Sequence, residues 1–192
     1  MEKVVNFLFE VGILSKTPRS GFHFLGSGKQ SVAEHINRVV FIGYSLASLE
    51  KDVNVLKIIK MCLLHDLHES RISDHNYVHQ KYVKCDEVKV LNELTDDLPF
   101  GKDIKDIVEE YEKRETKESI LAKEADNLEW ILCLKEQFDN GNTKARSWID
   151  SAVKRLKTDV AKEIAEGILK SHSDNWWFSN KEDSWWVNRD KG

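Results

Sequence analysis

The sequence predicts an all-α fold, and two observations carry that prediction. Only two prolines and nine glycines interrupt 192 residues, so long stretches are free of helix breakers. Within those stretches apolar residues recur at spacings of three and four, and no apolar/polar alternation persists long enough to make a strand. A chain of this length is expected to form one domain with room for a sizeable core.

Composition narrows the function classes. The net charge of −4 provides no global basic field for a nucleic-acid polymer or an anionic membrane, although a local pocket for one phosphate remains open. Cys62, Cys85 and Cys133 lie far apart, with no C-x-x-C pair and no disulfide framework. Cys62 and Cys133 sit in apolar runs and read as buried thiols. A reducing, cytoplasmic location is expected. The N-terminus lacks the basic-then-apolar pattern of a secretory leader, and no apolar run approaches the roughly 18 residues that span a bilayer.

Val4, Phe7, Leu8, Val11 and Leu14 share one face and predict a short amphipathic helix over 4–14. Residues 15–30 read as a loop, opening on Thr17-Pro18-Arg19-Ser20-Gly21-Phe22 and closing on Gly26-Ser27-Gly28. Those glycines lack the lysine and the flanking strand of a phosphate-cradling loop. Arg19, on a proline-led turn, suits a phosphate or carboxylate clamp, with a solvated surface arginine as the plainer alternative. Ser31-Val32-Ala33-Glu34 is a capping box. The helix it starts runs to about 49, with Val32, Ile36, Val39, Val40, Gly43 and Leu46 inward. His35 lies in its first turns, either a satisfied core histidine or a ligand.

Asp52 or Asn54 caps a helix over 55–68. Residues 70–77 have turn chemistry and are expected to form a loop over that helix's end, with Asp74 and His75 in it. A helix over 78–94 follows, with Val83, Val88, Val90, Leu91 and Leu94 apolar, until Asp96-Asp97-Leu98-Pro99 breaks it. The charged segment 102–115 keeps a thin stripe of Ile104, Ile107, Val108 and Tyr111. Segment 118–138 is far more apolar, and Asp126 falls near its apolar face. A carboxylate there is costly unless paired or ligated; pairing with Lys123 is the plainer alternative. After a turn at 139–142, helices over 143–156 and 158–171 point Trp148, Ile149 and Val153, then Val160, Ile164 and Ile168, inward. Residues 1–171 form the predicted domain. The tail 172–192 holds four of the six tryptophans, at Trp176-Trp177 and Trp185-Trp186. It is expected to pack on the body or on a second subunit, with covering the active site as the alternative.

The chemistry concentrates in Met61-Cys62-Leu63-Leu64-His65-Asp66-Leu67-His68-Glu69. Leu63, Leu64 and Leu67 are expected to hold this helix in the core, leaving His65, Asp66 and Glu69 to point into a site at its end. Adjacent imidazole and carboxylate groups can reach one divalent metal. By itself the doublet has a plainer reading, a helix end with a polar cap. His35, His65-Asp66 and Asp126 each fall on a predicted helix, in an order that can converge. Two His and two Asp leave open positions around one divalent ion, a set suited to Mn, Co, Fe, Zn or Mg more than to a closed structural zinc site.

The pattern His…His-Asp…Asp on an all-α frame resembles the HD-domain phosphohydrolases. More narrowly, Pro18-Arg19-Ser20-Gly21, Ser31-Val32-Ala33-Glu34-His35, His65-Asp66-Leu67-His68-Glu69, Asp74 and Asp126 resemble the 5′-deoxynucleotidase branch, over roughly residues 4–148. The resemblance implies a single-domain HD fold and phosphate removal from (deoxy)nucleoside 5′-monophosphates. It implies His35, His65, Asp66 and Asp126 as ligands of one divalent metal. It implies Arg19 as the phosphate-binding arginine, Glu69 as the catalytic acidic residue, Asp74 as a further positioning carboxylate, and a homodimer. Three departures bear on specificity. Phe22 stands where tryptophan is common beside the sugar, Ser73 replaces the glycine before Asp74, and His68 replaces a small residue. Other HD phosphohydrolase chemistry, on nucleoside triphosphates or modified or signalling nucleotides, is the alternative. A non-catalytic helical binding module is the alternative of another class.

Overall fold

The computed structural model describes residues 1–180, and among them there is no β-strand, only an isolated bridge between Pro18 and Ser31. The helices are α1 (Glu2–Val11), α2 (Phe22–Leu25), α3 (Val32–Leu49), α4 (Val55–Leu64), α5 (Glu69–Ile72), α6 (His79–Tyr82), α7 (Glu87–Thr95), α8 (Gly101–Lys113), α9 (Lys117–Asp139), α10 (Ala145–Val153), α11 (Asp159–Lys170) and α12 (Asn175–Phe178). A 3₁₀ turn, Gly12–Ser15, extends α1.

The all-α expectation is met, and α9 is the axis. It packs against α3, α4, α8, α10 and α11. A helix contacted on every side cannot keep a polar face, and Leu121, Ala122, Ala125, Leu128, Ile131, Cys133 and Leu134 are all buried. Of its buried polar residues, Ser119, Glu124, Glu129 and Lys135 each meet a partner. Glu124 accepts hydrogen bonds from the backbone N–H groups of Lys157 and Thr158, holding the start of α11 to the axis. Where α3 crosses α4, Gly43 lets the backbones close: a Cβ there would stand 2.5 Å from Cys62 Sγ. A second apolar cluster joins Leu14, Val32, Ile36, Leu67, Leu94, Ile104 and Val108 under the N-terminal helix.

The capping box forms: Glu34 N–H donates to Ser31 Oγ, and Ser31 N–H donates to Glu34 Oε2 at 2.6 Å. Asn54, not Asp52, caps α4, by accepting from Lys57 N–H.

Three expectations need correction. First, α4 stops at Leu64, four residues short of the predicted end, and 65–68 tighten into turns. Its inward stripe is Ile58, Met61, Cys62 and then His65, so Leu63 faces out at 53% exposure. Second, Ser70–Ile72 belong to α5, so the loop over the site shortens to 73–78. Third, the helix predicted over 78–94 is two short ones. Asp86 interrupts it by accepting from Lys89 N–H to cap α7, and Val83 and Val88 are exposed.

Asn175–Phe178 form a turn of helix with Trp176 exposed. Trp185 and Trp186 lie outside the described residues.

Candidate metal centre

Three helices bring the site together. The capping box starts α3 so that His35, one turn in, faces α9. The end of α4 presents His65, and the tightened turn after it presents Asp66. Asp126 comes from the middle of α9. One ligand atom each from His35, His65 and Asp126 lies within 4.8 Å of the others. Asp66 Oδ2 is 3.2 Å from His65 Nε2 and 3.5 Å from His35 Nε2.

The hydrogen bonds behind the rings fix what the rings offer. Nδ1 of His35 meets Glu129 Oε2 at 2.7 Å, and Nδ1 of His65 meets the Cys62 carbonyl at 2.9 Å. Both partners accept, so Nδ1 carries the hydrogen in each ring, and in the neutral ring Nε2 turns a lone pair inward. Those Nε2 atoms are 3.4 Å apart, and Asp126 Oδ1 is 3.2 Å from that of His35. Lone pairs facing one another at such distances repel unless a cation lies among them. The same field acts on protons. Against burial and the nearby Arg19 charge, hydrogen bonds to Asp126 and Glu129 push the His35 imidazole up to about 9. Against burial, His65, Arg19 and His35 hold Asp66 well below the usual carboxylate range. The donor set therefore fits one divalent ion. Asp126 satisfies both of its readings: Oδ1 faces His35, while Oδ2 accepts from Lys123 Nζ at 2.6 Å.

Arg19 is no solvated arginine. Its side chain is 15% exposed, and Nη1 lies 3.2 Å from Asp66 Oδ2 and 3.6 Å from Asp74 Oδ1. Asp74 also accepts from the Ser20 N–H at 2.5 Å, pinning the Arg19 turn to the loop after α5. Glu69 is buried with Oε2 unpartnered. Burial, then the charges of Asp66 and Asp74, push its carboxyl up to about 10. These groups border a cavity of about 320 Å³ that runs out to Trp130, Trp148, Tyr77 and Phe24.

Phe22 is placed differently from expectation. It is 7% exposed, in the main core, edge-on to Trp130 with ring centroids 5.3 Å apart. The cavity wall is the Trp130 ring, which Phe22 supports from behind. Sequence reasoning also missed Glu129. It lies three residues beyond Asp126 on the same apolar helix, so the cost of a buried carboxylate pointed to it as well. Arg38 Nη2 donates to its Oε1 at 2.9 Å; against burial, the His35 bond and charge, and then the Arg38 charge, lower its pKa to about 2.

Comparison with known proteins shows the family. The family model described as HD domain matches residues 11–168. The 5′-deoxynucleotidase HDDC2 of Dictyostelium discoideum is 32% identical over 86% of this chain and 96% of its own. The 5′-deoxynucleotidase hdd1 of Schizosaccharomyces pombe is 26% identical over 90% of this chain and 92% of its own. A conserved hypothetical protein from Pyrococcus furiosus superposes with a TM-score of 0.75 at 31% identity, covering 87% of this chain and 99% of that one. With a family model spanning most of its length and a His-His-Asp cluster at its centre, the chain belongs to the HD-domain family and is related there to the 5′-deoxynucleotidases.

Proposed function

We propose that this protein removes phosphate from (deoxy)nucleoside 5′-monophosphates in a metal-dependent hydrolysis. The observation that carries the reading is one continuous cavity. Asp66 and Asp126 line it with His35 and His65 buried next to them, Arg19 and Glu69 stand in the same wall, and aromatic rings form its far end. The relatives named above as 5′-deoxynucleotidases support it.

His35, His65, Asp66 and Asp126 would hold the ion. When bound, a divalent ion supplies Lewis acidity toward a phosphoryl oxygen and an acidified water. Arg19, held in orientation by Asp66 and Asp74, offers N–H donors to the substrate phosphate and offsets charge that builds on it. Glu69 stands at the cavity with an unpartnered oxygen, placed to orient a water or to hand a proton to the leaving 5′-oxygen. Asp74 positions Arg19 through the Ser20 turn. Trp130 and Trp148 present flat apolar faces for the nucleoside, which leaves toward open solvent.

The finer expectations join this proposal. A homodimer, in which residues 172–192 pack on the 1–171 body or on the second subunit, is supported by the exposed Trp176 at the start of the tail. A cytoplasmic setting is supported by three free cysteines. No described helix is long and apolar enough to cross a membrane.

The test is phosphate release from a panel of ribo- and deoxyribonucleoside mono- and triphosphates, with Mn, Co, Mg or no metal added after chelation. Release from monophosphates that depends on metal supports the reading. Silence across the panel by metal-loaded protein sinks it.

A further inference from the structure

A second cavity, of about 360 Å³, adjoins the first. Asp66, Glu69 and Lys123 border both, so the two spaces meet at the metal centre. Away from that shared wall, the second cavity is lined by Tyr111 and Arg114 at the end of α8.

Two buried polar atoms in this lining have no hydrogen-bond partner: Tyr111 Oη and Arg114 Nη1. Tyr111 is 2% exposed. Its ring lies 5.3 Å from that of His65 and 3.4 Å beneath the Arg114 guanidinium carbon. Arg114 itself takes a left-handed backbone conformation, φ 55°, in which an arginine is strained. The α8 helix could have ended on a glycine there. It ends instead on a side chain folded over Tyr111, with one face of its fork left undirected. Glu112 Oε1 stands 3.5 Å from the other nitrogen, Nη2.

A guanidinium N–H can only donate, and the unpartnered Tyr111 hydroxyl can donate too. The ligand that satisfies both is a compact acceptor with several oxygens. We propose that the second cavity binds a phosphate oxyanion through Arg114 and Tyr111, giving the metal centre a phosphate-accepting site on each side. The proposal rests on the nucleotidase reading of the first cavity and adds to it a destination for the phosphorus. Two sources share this chemistry: orthophosphate released from a monophosphate, or the distal phosphates of a longer nucleotide reaching past the metal centre. Glu87 and Glu112 also line the space and limit the negative charge it accepts, which favours orthophosphate.

Orthophosphate and tripolyphosphate would be titrated calorimetrically into the metal-loaded full chain, in wild type, Tyr111→Phe and Arg114→Gln. Both would also be assayed as inhibitors of nucleotide turnover. Tyr111→Phe removes one oxygen and keeps the core ring, so it guards against loss of fold. We expect orthophosphate affinity to fall about tenfold in each variant, with the KM for a deoxynucleoside monophosphate moving far less. A larger loss for tripolyphosphate than for orthophosphate would assign the cavity to distal phosphates. Unchanged orthophosphate affinity in both variants overturns the proposal, as does a KM that rises in step with it, since phosphate would then have one shared site. Calorimetry needs no turnover, so inactivity on the nucleotide panel would count against the first reading alone.

Discussion

Glu129 and His35 are bonded through the ring nitrogen that faces away from the other metal-site groups, Oε2 to Nδ1 at 2.7 Å, with neither side chain exposed. The carboxylate fixes the ring's tautomer and orientation, so its effect on metal binding is exerted without touching the ion. Glu129→Gln is expected to weaken divalent-metal affinity about 10- to 100-fold while circular dichroism stays helical. Metal titration of the chelated protein checks this, and unchanged affinity would remove Glu129 from the site.

Asp66 stands between His65 and Arg19, and Asp66→Ala is expected to abolish metal binding and turnover together. Much of the helical fold should remain, because Asp66 lies in the turn after α4 and not in the apolar core. Metal content by elemental analysis decides it: a fully loaded variant sinks the assignment.

Glu69→Gln keeps the shape of a side chain whose Oε2 already lacks a partner. It is expected to keep metal and substrate binding and to lower kcat about 10²- to 10⁴-fold, the range of a lost general acid or base. Normal turnover would exclude Glu69 from the chemistry.

Phe22→Trp adds volume to a filled core, where Phe22 already meets Trp130 and would be within 2.8 Å of a Cβ added at Gly28. The expected cost is about 1–3 kcal/mol of stability, with the ratio of deoxy to ribo turnover unchanged. Denaturant melts and paired kinetics check both halves. A clear rise in deoxy preference would mean that the ring reaches the sugar after all.

Asp139 accepts from Lys135 Nζ and, at 2.8 Å, from the Ser173 N–H, tying the segment after α11 to the end of α9. Against burial, these bonds lower its pKa. A carboxyl depressed in the folded state stabilises fully above its unfolded value, about 3.9, and loses that stabilisation as pH falls through the lower folded value. The Tm gap between wild type and Asp139→Asn should therefore be open at neutral pH and narrow below about pH 4. A gap independent of pH would show that the carboxylate charge contributes nothing.

The sequence showed the helices whose periodicity is unbroken, α3, α8 and α9, almost to the residue, because caps and stripes there agree. It missed the break at Val83–Asp86, where an aspartate cap on four residues competes with a valine-rich pattern that looked continuous. Leu63 was misread because the run Met61–Leu64 is apolar all round, and only packing decides which side faces in. Among site residues, those bound to a motif were legible: His35 to its capping box, His65 to Asp66. Trp130 and Tyr111 were not, since an aromatic on a helical stripe reads as core whether or not a cavity opens beside it.

The bonds from Glu129 and from the Cys62 carbonyl leave both histidines aimed before any ion arrives. Folding and metallation then become separable events, unlike domains in which the metal is the core. A chain that folds first can be loaded later and reloaded. With mixed nitrogen and oxygen donors that many divalent ions accept, the ion it carries will follow cellular supply, and stripped protein should remain folded and ready to exchange.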